Sequence, residues 1–138
     1  MVFEVFLDIN ILLDFFLKRK DFTHAQKVLL LAKDREIDAF VSISILQTTS
    51  YYLQKDFGSK MAKELLLELL LIVNVIDADE DIVLQALNSS IYDIEDAIHF
   101  YTATKSNISY IISSDLDFQK LSHRKLEIMS AEKFIELF

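Results

Sequence analysis

Five short runs rich in β-branched and aromatic residues, at 2–7, 37–41, 72–76, 110–112 and 126–129, alternate with longer stretches of helical periodicity. Continuous apolar runs of this kind suit buried strands, whereas apolar residues spaced three and four apart suit helices. Glu4 keeps a helix open as an alternative for the first run. Strands separated by helices cannot pair as tight hairpins. They return by crossovers, which makes a parallel sheet with helices on both faces. The expected fold is therefore a three-layer α/β/α sandwich around a central parallel sheet, and such sheets bind ligands beyond the carboxyl ends of their strands.

The intervening segments carry helix signals of their own. A helix is predicted from Asn10 through Leu17, closing on the cations Lys18, Arg19 and Lys20, where a helix C-terminus favours positive charge. Thr23 has the chemistry to cap a helix over 24–35, and Ser42 or Ser44 to cap another that reaches about residue 55. Gly58 marks a turn before an apolar helix at 59–71. Asp77, Asp79, Glu80 and Asp81 read as the solvated start of the next helix, and two more are predicted at 94–105 and 131–137. No linker, repeat or low-complexity tract interrupts this pattern, so the 138 residues are taken as one domain.

Composition removes whole classes of chemistry. A single glycine excludes the glycine-rich phosphate loops and the nucleophile elbow, and the absence of cysteine excludes thiolate catalysis and redox motifs. The longest apolar stretch, 65–73, is broken by Glu68 and falls short of the roughly 20 residues that a membrane span needs. With Glu4 and Asp8 in the opening segment no signal peptide is expected, and the location expected is cytoplasmic. Fourteen Lys and Arg against 22 Asp and Glu leave a net charge of −8, which disfavours general binding to polyphosphate backbones. Any nucleic-acid function must then use local patches or metal ions.

The informative acids are those at strand ends. Asp8 directly follows the first predicted strand, and Asp115 and Asp117 follow the fourth. If those strands are neighbours, their carboxylates meet at one rim, where repulsion raises at least one pKa unless a cation neutralises them. Hard oxygen donors without Cys or a His pair favour Mg²⁺ or Mn²⁺ over zinc. Asp93 and Asp96, three apart at a helix head, project from nearly the same side toward such a rim. An acid in a first helical turn is ordinary, whereas Asp8, set beside the core, is less easily explained without a function. His24, His99 and His123 lie far apart, and each reads as a surface or satisfied polar residue. Tyr51 and Tyr52 read as packing, and the basic groups 18–20 and 123–125 as solvated helix ends or loops.

Three segments now carry a resemblance: VFLDINILLDFF near the start, DIEDAIHFYTA in the middle and ISSDLDF late. In order and spacing they are similar to a PIN-domain ribonuclease, the fold of VapC-like toxins, over essentially the whole chain. The resemblance implies acids gathered around one or two Mg²⁺ or Mn²⁺ ions that drive hydrolysis of single-stranded RNA. It implies Asp8 as first metal ligand, Asp96 and Asp115 as further ligands, and Asp117 as an additional acid. By the same likeness Asn10 is expected to support the first Asp and Ser113 to end the fourth strand, with Asp93 an auxiliary candidate. An antitoxin partner and a homodimer are also implied. One departure stands out. Many members carry a Glu early in the helix after the second strand, where this chain has SISILQTTSYYL, with Gln47 near the place. A catalytically weak PIN-fold binding module is the alternative that this gap suggests. Haloacid-dehalogenase-like phosphatases also begin with an Asp after the first strand, but need a second two residues later, where Asn10 stands.

Overall fold

All strand-to-strand pairings are parallel, and the chain's opening strand becomes the middle of the sheet. The computed structural model describes residues 2–138. Along the chain run β1 (Phe3–Leu7), α1 (Ile9–Phe16), α2 (Phe22–Lys33), β2 (Ile37–Ser42), α3 (Ile43–Phe57), α4 (Ser59–Leu69) and β3 (Val73–Ile76). There follow α5 (Glu80–Leu87), α6 (Ile94–Lys105), β4 (Tyr110–Ile112), α7 (Leu116–Gln119), β5 (Glu127–Met129) and α8 (Ala131–Ile135). The sheet order is β3-β2-β1-β4-β5. A central parallel strand is covered on both faces, which explains why Val5, Phe6 and Leu7 are all fully buried without alternation. Pairing on both sides also settles Glu4 into a strand.

Right-handed crossovers place α1 to α4 on one face as the chain steps from β1 to β2 to β3. The return from β3 to β4 places α5 and α6 on the other, and α8 comes back against α2. This makes the three-layer α/β/α sandwich. Strand order reverses between β1 and β4, the position where open α/β sheets leave a crevice for ligands. Leu7 pairs with Ile112, so one residue further Asp8 lies opposite Ser113. Phe6 pairs with Phe40, and two residues further Asp8 lies opposite Ser42 on its other side.

Several expectations are corrected in detail. Thr23 is not a cap: α2 begins at Phe22, two residues before the predicted start, with Asp21 at the N-cap making no side-chain capping bond. α1 ends at Phe16, and Lys18 takes a left-handed backbone at φ 50°, so the cations 18–20 lie past the last turn. There Arg19 sits 5.8 Å from the ring centre of Tyr52. α4 stops at Leu69, leaving the apolar Leu70 and Leu71 exposed. The short α7, which has too few turns for a periodic signature, forms where Asp115 caps it. Gly58, at φ 83°, both ends α3 and begins α4, a conformation that L side chains rarely adopt. Among the described residues no helix is long and apolar enough to cross a membrane.

Candidate functional site

Six polar or charged residues are buried among those described: Asp8, Ser42, Thr49, His99, Thr102 and Ser113. Thr49 and Thr102 return their hydroxyls to carbonyls of their own helices, at 2.7 Å each. The other four belong to the carboxyl ends of β1, β2 and β4 and to the helix facing them. Buried polar groups cost stability unless paired, so their concentration at one edge of the sheet needs an explanation beyond folding.

Asp8 is 7% exposed at the end of β1. One oxygen, Oδ1, accepts the amide of Ile9 at 2.8 Å and so caps α1, while Oδ2 accepts the Ser113 hydroxyl at 2.6 Å. Ser113 in turn accepts the amide of Asp115 at 3.1 Å. A single buried hydroxyl thus sets two acids from adjacent strand ends. Ser113→Ala would strip a partner from both Asp8 and the Asp115 amide, and should lower unfolding free energy by about 1–3 kcal/mol. Urea denaturation reads this directly, and an unchanged midpoint would show that the hydroxyl contributes nothing.

Asp115 caps α7 through the amides of Asp117 and Phe118, at 2.9 and 3.3 Å. Asp93 caps α6 by accepting the amide of Asp96 at 2.9 Å. Asp96, half-buried in the first turn of α6, has its pKa pushed up to about 7. Burial is the largest cause, followed by the charges of Asp93, Asp8, Asp115 and Glu95. Acids from three distant parts of the chain therefore share one field. Among the described residues no three acidic or histidine side chains close on a single point tightly enough to enclose a metal ion. Asp8, Asp93 and Asp115 each commit an oxygen to a backbone amide. Their chemistry nonetheless fits a hard divalent cation, because crowded oxygen donors that hold one member protonated are what such an ion would neutralise.

The remaining predicted residues separate. Asn10 is half-buried in the first turn of α1, beside Asp8. Asp117 is exposed and faces Lys120 at 3.3 Å, apart from the acids that act on Asp96. Gln47 is exposed on α3. In place of an acid, the β2 end offers Ser42, whose hydroxyl lies 3.0 Å from that of Ser44 and 3.1 Å from His99 Nε2. His99 is the residue that sequence reasoning missed. It is neither a surface residue nor a fully satisfied one. Burial lowers its pKa against the pull of Asp8, Glu95, Asp93 and Asp77, and its Nδ1 has no hydrogen-bond partner. The available signal was its position three residues after Asp96, on the same side of one helix.

Comparison with known proteins agrees with the fold. The family model of the PIN domain matches residues 4–117. Among solved structures, the Mycobacterium tuberculosis VapC20, a sarcin-ricin loop cleaving toxin, superposes with a TM-score of 0.67 at 18% identity, covering 89% of this chain and 98% of that one. VapBC2 from Rickettsia felis, bound to a DNA fragment from their promoter, gives a TM-score of 0.63 at 16% identity, with 91% and 96% covered. Likenesses at this identity speak for the fold alone. No curated protein sequence matches the chain.

Proposed function

The chain belongs to the PIN-domain family, and from that premise we propose that it is a metal-dependent endoribonuclease. It would hydrolyse phosphodiester bonds of single-stranded RNA as the toxin of a toxin–antitoxin pair. One observation carries the reading: beside the β1–β4 reversal of the sheet, burial and the charges of Asp93, Asp8, Asp115 and Glu95 together raise the pKa of Asp96 to about 7. Asp8, Asp93 and Asp115 each cap a helix, but capping three separate helices does not require them to bring their charges to bear on the same Asp96. In this reading Asp8, Asp96 and Asp115 hold Mg²⁺ or Mn²⁺, with Asp93, Asp117, Asn10, Gln47 and Ser113 in auxiliary places. Asp117 joins only by leaving Lys120, an exposed pair worth little.

Bound there, the ion would lower the pKa of a water molecule and neutralise charge on the phosphorane-like transition state. Every other part belongs to the side chains. Ser113 and the Ile9 amide hold the Asp8 carboxylate in a fixed direction. Asp96, with its pKa pushed up to about 7, is partly protonated near neutral pH and would give up that proton when positive charge arrives. An antitoxin protein, a homodimer and a cytoplasmic location are proposed with the toxin role.

The reading is tested by cleavage of a single-stranded RNA oligonucleotide with Mn²⁺ and its loss in EDTA. A second reading, a PIN-fold binding module with weak or no catalysis, draws on the exposed, uncharged Gln47 where many members carry an acid. RNA bound but uncleaved at saturating Mn²⁺ would favour it.

A further inference from the structure

His99 is 2% exposed, yet only one of its two ring nitrogens is used. Nε2 lies 3.1 Å from the Ser42 hydroxyl at the end of β2 and 3.4 Å from that of Ser44 in the first turn of α3. The ring rests on Phe6 of β1, centroids 5.0 Å apart. Among the described residues the other side-chain bond leaving α6 runs from Lys105 to Asp79, the cap of α5, the helix against which α6 packs. His99 is therefore the polar tie between α6 and the sheet.

We propose that His99 is a positioning residue: by bonding Ser42 it fixes the first turn of α6, and so Asp96, against the carboxyl ends of β1 and β2. This rests on the ribonuclease reading for its consequence, though not for its geometry. A plain core role explains the ring poorly. Ser42 already caps α3 through the amide of Ile45 and meets Ser44, so it needs no third partner. The buried, unpartnered Nδ1 is a cost that a leucine of similar reach would not carry. What the imidazole supplies and an apolar side chain does not is direction, because a hydrogen bond at 3.1 Å sets the rotation of α6 about its axis. The chain has no acid on α3 facing this rim, so placement of the α6 acid matters more here than where four carboxylates share the load.

The test compares His99→Leu, His99→Gln and His99→Asn in the full chain. Gln can place an amide where Nε2 stands, whereas Asn reaches only the Nδ1 position. His99→Leu is expected to unfold at or above the wild-type midpoint, yet to bind Mn²⁺ about tenfold more weakly by calorimetry, the scale of an outer-shell loss. Amides in the first turn of α6 should exchange with deuterium faster in that variant even without metal. His99→Gln should restore both readouts to within about threefold, and His99→Asn should restore neither. Wild-type Mn²⁺ affinity and exchange in His99→Leu would overturn the proposal. If His99→Leu does not fold, equal losses in the Gln and Asn variants would overturn it, and rescue by Gln alone would support it. Wild-type protein that binds no Mn²⁺ would instead remove the ribonuclease reading, while exchange in α6 still decides the role of His99.

Discussion

Asp8→Asn should lower RNA cleavage by about two to three orders of magnitude and leave the fold in place. The loss follows from removing one charge of a ligand set whose ion is asked for several kcal/mol of transition-state stabilisation, at about 1.4 kcal/mol per tenfold in rate. Persistence of the fold follows from what Asp8 touches. Asparagine is nearly isosteric, and its carbonyl oxygen can still accept the Ile9 amide at the start of α1. Its amide would meet the Ser113 hydroxyl, which then accepts where it now donates, so the contact persists in reverse and gives up its charge assistance, worth about 1 kcal/mol. Against that, a carboxylate only 7% exposed is replaced by a neutral group, and the repulsion it imposes on Asp96 disappears. The two effects oppose, so thermal unfolding should move by no more than about 4 °C. Cleavage at saturating Mn²⁺ and melting by circular dichroism, on the same preparation, check both halves. Full activity in Asp8→Asn would end the metal mechanism, and a collapse in melting temperature would mean that the capping role outweighs the charge.

The sequence made the fold legible wherever one element had one strong local cause. The limits of α6 and β4 agree with the predicted 94–105 and 110–112, because Asp93 is a real cap and the three apolar residues of β4 are set off by polar neighbours. The strand-end acids were visible for the same reason: Asp8 breaks an apolar run that must be interior. Errors arose where a local signal met a competing one. The apolar pattern of α4 continues through Leu70 and Leu71, yet the helix ends first, and the need to enter β3 at Val73 decides. Thr23 looked like a cap although Asp21 stands closer to the end of the preceding turn. The role of His99 could not be read locally at all. Its partners lie 57 and 55 residues away and meet it only because β2 and α6 flank the same sheet edge.

Metal binding should be strongly dependent on pH, and Asp96 should be the cause. Its pKa stands at about 7 instead of the ordinary 3.8, first from burial and then from Asp93, Asp8, Asp115 and Glu95. The folded protein therefore holds a proton that the unfolded chain has released between about pH 4 and pH 7. Stability without divalent cations falls as pH rises through that window and levels off above it. Asp14, raised by burial and by Asp21, adds to the same slope. Asp79, lowered chiefly by its bond to Lys105, acts in the opposite sense and only below about pH 4, where its protonation costs stability. A cation that binds the ionised rim must displace the Asp96 proton. Mn²⁺ affinity should then rise about tenfold per pH unit from 5 to 7 and flatten near 8, for one proton released per ion. Calorimetric titrations across that range measure this, and Asp96→Asn should bind weakly with no such slope while also flattening the stability profile. Affinity unchanged between pH 5 and pH 7 in the wild type would place the ion away from Asp96, and the rim would then be a cluster of acids held together for some purpose other than metal.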